Sequence, residues 1–127
     1  MNWEQVKSMI LNNINVYTDL NTKRSTYRKV NTIPKMSEYG STFLKVRIGK
    51  STFIKIELDE LRLLFIEADT NQNGRYNKKT YKSTFPNKPI HHPCIIQVIG
   101  KIFEKSGAAK QINNRQYQFL NSLNQKS

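Results

Sequence analysis

Between residues 42 and 57 the chain alternates apolar and polar side chains with a period of two. Leu44, Val46 and Ile48, then Ile54 and Ile56, fall on one face; Phe43, Lys45, Arg47, Phe53 and Lys55 fall on the other. That period predicts a hairpin with strands at 42–48 and 52–57. A two-residue turn at Gly49–Lys50 would pair Val46 with Phe53 and turn the isoleucines of the second strand outward. A three-residue loop, Gly49 to Ser51, pairs Val46 with Ile54 and Leu44 with Ile56. The apolar pattern selects the longer loop.

Three other segments repeat every three or four residues. In 2–14, Trp3, Val6, Ile10 and Ile14 make one stripe, with Asn2 and Gln5 spaced as a capping box. In 58–68, Leu58, Leu61, Leu64, Phe65 and Ala68 do the same, and Asp59 and Glu60 favour a helix start. Residues 93–106 are apolar nearly all round, which predicts the most buried helix, opened by His92 and Pro93 and closed by Gly107. Weaker patterns predict short strands around Val16–Tyr17 and Tyr27–Val30, and a loop bounded by Pro34 and Gly40. They also predict a turn at Asn73–Gly74, a strand near 80–85 ended by Pro86 and Pro89, and a weak helix over 112–123. The expected class is α+β: a small antiparallel sheet, built on the 42–48/52–57 hairpin, packed against two or three helices (2–14, 58–68, 93–106). Residues 1–110 read as a single compact domain, and 111–127 as a weakly helical or frayed C-terminal segment.

Composition narrows this picture. Hydrophobic residues make up 37% of the 127 and charged residues 24%, so the core is modest. The single Cys94 excludes an internal disulfide and fits a reducing compartment. No apolar run reaches membrane-spanning length and no leader pattern opens the chain, so a soluble, cytoplasmic protein is expected.

Charge changes it most. The chain carries 21 Lys+Arg against 9 Asp+Glu, a formal net of +12. Residues 20–56 hold nine bases and one acid, Glu38; residues 57–69 hold five acids and one base, Arg62; residues 70–127 hold ten bases and one acid, Glu104. Such an excess attracts a polyanion, because each cation that meets a phosphate releases condensed counterions. The candidate phosphate contacts are Lys23, Arg24, Arg28 and Lys29; Lys45, Arg47 and Lys55 on the outer hairpin face; and Arg75, Lys78, Lys79 and Lys82, interleaved with Tyr76 and Tyr81. Aromatic rings beside cations suit unstacked bases, and a basic two-stranded ribbon suits a major groove.

Other constellations are weaker. Asp69, Asn71, Asn73 and Gly74 copy the first half of a calcium loop, but Thr80 stands where a bidentate Glu is needed and Arg75, Lys78 and Lys79 add positive charge. A helix end followed by an Asn-Gly turn is the simpler reading. His91 and His92 could serve general acid–base chemistry on a phosphodiester. With Cys94 they lack the spacing of a zinc site. Glu57, Asp59, Glu60, Glu67 and Asp69 read as solvent-facing helix charges rather than a magnesium site. No metal and no cofactor is expected.

The leading expectation is a non-enzymatic nucleic-acid-binding protein, DNA preferred, in a regulatory, mobile-element or defence setting. The alternatives are a small toxin-like ribonuclease using His91 and His92, and an adaptor or inhibitor whose protein partner is acidic.

Overall fold

The computed structural model describes residues 1–14, 20, 30–32, 43–47, 53–90 and 95–120, with backbone alone at Val30–Thr32, Arg47 and Phe53. Among the described residues, helices α1 (Trp3–Asn13), α2 (Leu58–Asn71), α3 (Lys78–Thr84) and α4 (Ile95–Ser106) combine with two antiparallel three-stranded sheets. The class is α+β. No helix of the described residues is long and apolar enough to cross a membrane.

The first sheet has the order β1 (Val30–Thr32), β2 (Phe43–Arg47), β3 (Phe53–Glu57). Its β2–β3 register pairs Leu44 with Ile56 and Val46 with Ile54, as the hydrophobic pattern requires. All four side chains are buried. The hairpin is not a bare ribbon, because β1 pairs along the far edge of β2.

Chain-local chemistry sets the helix ends. Asn2 Oδ1 accepts the Gln5 N–H at 2.9 Å and Gln5 Oε1 accepts the Asn2 N–H at 2.8 Å, so both arms of the capping box form at the start of α1. Helix α2 follows β3 without a loop and runs three residues past the expected Ala68, burying the five stripe residues. It stops at a left-handed pair, Asn73 (φ 55°) and Gly74 (φ 77°), where the Gly74 N–H reaches back to the Ala68 carbonyl at 2.7 Å. Helix α4 buries six apolar or glycine positions together with Ser106, and ends at Gly107 (φ 93°). The Asn13 amide, from the last turn of α1, donates to the Ser106 carbonyl at 2.8 Å and satisfies an orphan acceptor there.

Two expectations are corrected. The strand near 80–85 is helix α3. Asn77 Oδ1 accepts the Thr80 N–H at 3.1 Å while Thr80 Oγ1 accepts the Asn77 N–H at 3.2 Å, so a capping box starts a helix where β-branched and aromatic residues suggested a strand. Only Arg75–Tyr76, strand β4, is extended. Over its described residues, 112–120, the weak helix expected at 112–123 is instead part of a hairpin, β5 (Ala109–Asn113) and β6 (Gln116–Phe119), turning at Asn114 and Arg115 (φ 67°). In β6 the exposed-side glutamines alternate with buried Tyr117 and Phe119, a period of two. Strand β6 lies between β4 and β5, so residues 109–113 and 116–119 are built into a sheet, and residues 121–127 of the C-terminal segment lie outside the described residues. The segments around 16–17 and 27–29, the 34–40 and 49–51 loops and the His92–Pro93 helix start lie outside the described residues.

Aromatic rings tie the second sheet to the helices. Trp3 meets Phe65 at 6.4 Å, Phe65 meets Phe119 at 5.0 Å, Phe119 meets Phe103 at 4.7 Å and Phe103 meets Tyr76 at 5.6 Å, centroid to centroid. The last three pairs are edge-on, an arrangement that adds to simple burial. Gly100 lets α4 lie flat on this sheet: a Cβ there would fall 2.1 Å from the Tyr117 ring.

Candidate nucleic-acid interface

Each sheet turns one face to the core and one outward, so its cations sit on a defined side. On the first sheet Lys45 lies opposite Lys55, and both are exposed. Like charges directly opposite repel. Lys55 is drawn off the axis of that pair: its Nζ lies 3.3 Å from the Glu57 carboxylate and 4.6 Å from the Phe43 ring centroid. Of the face expected there, Phe43, Lys45 and Lys55 share one side with Glu57 as a counter-ion, and the side chains of Arg47 and Phe53 lie outside the described residues. Arg47 pairs with Phe53 through the backbone.

On the second sheet the register aligns Arg75, Gln118 and Lys110 in one row across three strands. Gln118 is held at both ends of its amide. Its Nε2 donates to the Asn73 carbonyl at 3.1 Å, and its Oε1 accepts from Arg75 Nε at 3.4 Å. The amide lies across Gly74, where a Cβ would come within 2.7 Å of Nε2. Helix α3 is pinned to the same strand, because the Thr80 hydroxyl donates to the Arg75 carbonyl at 2.7 Å. Lys78, Lys79 and Lys82 project from that short helix into solvent.

The tyrosines interleaved with these cations do not serve as stacking platforms. Tyr76 and Tyr81 are buried, and the Tyr76 hydroxyl donates to the Ile96 carbonyl at 2.8 Å. Burial pushes the Tyr76 phenol well above its ordinary pKa, and it raises Tyr81 as well. The sequence sets these rings among lysines because it shows neighbours along the chain, not sides of an element.

Most of the acids of α2 and its flanks serve local pairs. Asp59 pairs with Arg62 at 2.8 Å, and Glu60 pairs with Lys88. Glu67 accepts from the Gln72 and Asn71 amides at 3.0 and 2.9 Å, which holds its carboxyl below the usual range. Asn71, a ligand position of the partial calcium loop, is thus in the last turn of α2 bonding a helix acid. Among the described residues no group of three or more His, Cys, Asp or Glu is placed to hold a metal ion.

Lys23, Arg24, Arg28, Lys29, His91 and His92 lie outside the described residues. Lys110, Arg115 and Gln118 are not among the candidate contacts read from the sequence. The strict alternation Gln116-Tyr117-Gln118-Phe119 is the signal that could have found the strand presenting them. No family model, no curated protein and no solved structure matches this chain.

Proposed function

We propose that this protein binds nucleic acid, with DNA preferred, through electrostatic contact between its surface cations and phosphates, and that it performs no chemistry on it. One observation carries this reading. The four ion pairs of the described residues engage Lys55, Arg62, Lys88 and Lys101. Arg75, Lys78, Lys79, Lys82, Lys110 and Arg115 are exposed and have no acid partner among those residues. Unneutralised cations on an exposed face are what a polyanion displaces counterions from. The proposed contact set comprises Lys45, Arg47 and Lys55 on the first sheet and Arg75, Lys78, Lys79 and Lys82 on β4 and α3. Lys23, Arg24, Arg28 and Lys29 join it on sequence grounds.

The test is a gel-shift panel of single- and double-stranded DNA and RNA, with and without magnesium, scored for shift and for cleavage. A shift without cleavage, weakening log-linearly with salt, is the expected result. Cleavage that disappears in His91→Ala/His92→Ala would replace this reading with the ribonuclease. No shift at moderate salt would replace it with an adaptor for an acidic protein.

A further inference from the structure

We infer that the outer face of the second sheet, centred on Arg75, Gln118 and Lys110, is the principal phosphate-contact surface, and that its occupant is the backbone of duplex DNA. This rests on the nucleic-acid reading and adds to it the surface and the strandedness of the ligand.

Three features of the face support it. The first is charge with no acid partner among the described residues. Arg75 and Lys110 share a cross-strand row with a neutral glutamine between them, and Arg115 sits at the hairpin turn. No acid lies on β4, β5 or β6. The first sheet differs, since Glu57 already meets Lys55.

The second feature is order. An arginine on an open strand sweeps a wide volume, and fixing it on binding costs side-chain entropy. Here the Gln118 carboxamide engages Arg75 Nε while its other end is anchored to the Asn73 carbonyl. That leaves the two terminal amino groups of the guanidinium to grip phosphate oxygens in a fork. Gln118 is a positioning residue. Strands two apart put the Arg75 and Lys110 backbones about 10 Å from each other. Their long side chains can therefore reach neighbouring phosphates.

The third feature selects the duplex. Proteins that hold single strands without sequence preference stack bases on exposed aromatic rings. Every aromatic side chain of this sheet, Tyr76, Tyr117 and Phe119, is buried on the opposite face. The outward side chains are Arg75, Lys110, Gln116, Gln118 and the exposed Ile112. Such a face offers phosphates what they need and splayed bases nothing. A duplex, whose bases already stack on one another, loses nothing by meeting it.

The experiment uses the full chain and fluorescence anisotropy with a labelled DNA duplex of about 20 base pairs, long enough to cover the sheet face, the matching single strand and the matching RNA duplex, over a salt series. Thermal melts check folding; both changed residues are exposed, so Arg75→Ala/Lys110→Ala should melt with the parent. That variant should lose at least tenfold in duplex affinity at the lowest salt. Its log–log salt slope should be shallower by about 2, one counterion-release step per lost contact. Lys105→Ala, exposed on α4 and outside the proposed contact set, should lose less than threefold. Gln118→Ala should weaken binding severalfold in the parent and not at all in an Arg75→Ala background. A purely structural role for Gln118 would not give that dependence.

If the parent protein binds none of the three probes, the nucleic-acid reading itself falls. If it binds but Arg75→Ala/Lys110→Ala matches it in affinity and slope, the reading stands and the assignment to this face is overturned. Equal or tighter binding of the single strand or the RNA duplex overturns the choice of occupant.

Discussion

In the first sheet two lysines stand opposite each other beside a glutamate and a phenylalanine; in the second an arginine and a lysine stand either side of a glutamine with no acid on any strand. Both sheets are antiparallel, three-stranded and buried on one side. Sequence proximity favours the first as the phosphate surface, because Lys45, Arg47 and Lys55 alternate visibly within one hairpin. Spatial pairing favours the second. A cation already matched to a carboxylate must give up that partner to meet a phosphate, and the net gain is small. A cation facing only water releases its counterion outright.

The sheets also differ in what holds them down, which gives the largest expected effect. Gly100 underlies Tyr117 of the second sheet, with room for hydrogen alone. Gly100→Ala should destabilise the protein by about 3 kcal/mol, the upper end of overpacking costs. Amide exchange should then show protection falling further in β4–β6 than in β2–β3. Equal loss in both would mean that the sheets open as one unit.

Alkaline pH is a milder way to separate them. Tyr76 and Tyr117 belong to the second sheet, and burial pushes Tyr117 up to about 12, with Glu104 adding to the rise. A phenol whose folded pKa is raised contributes stability that is complete below its unfolded pKa, near 10, and is lost as pH climbs through the folded value. Roughly 2–3 kcal/mol should disappear between pH 10 and 12 from Tyr117 alone. Tyr117→Phe, compared with the parent by melting temperature at pH 8 and at pH 11.5, should lose less stability over that range. An unchanged pH dependence would show that the Tyr117 phenol is not the group being titrated.

The smallest effect tests the counter-ion. Glu57→Gln keeps the start of α2: the Glu57 N–H is held by Glu60 Oε1 at 3.1 Å, and a glutamine oxygen can still accept the Glu60 N–H in the other arm of the capping box. Releasing Lys55 should raise duplex affinity two- to threefold, in keeping with an exposed ion pair worth under about 1 kcal/mol. A tenfold rise would make the first sheet the principal contact and reverse the comparison.

Elements whose instructions are local can be read from the amino-acid sequence alone. The β2–β3 register follows from the alternation of Leu44, Val46, Ile54 and Ile56, since a one-residue slip would expose all four. The stripe of α2, the capping box at Asn2 and Gln5, and the Gly107 stop are equally plain, each needing only residues within a turn of one another. Strands β4 and β6 are not, because they pair across some forty residues and a two-residue strand has no period to read. That long-range pairing buries Tyr76 and brings Lys110 into line with Arg75. Charge is a property of the chain and shows in its composition. Which cations stand together, and which are already matched to a carboxylate, depends on distances through space, and these exist only once the sheets have formed.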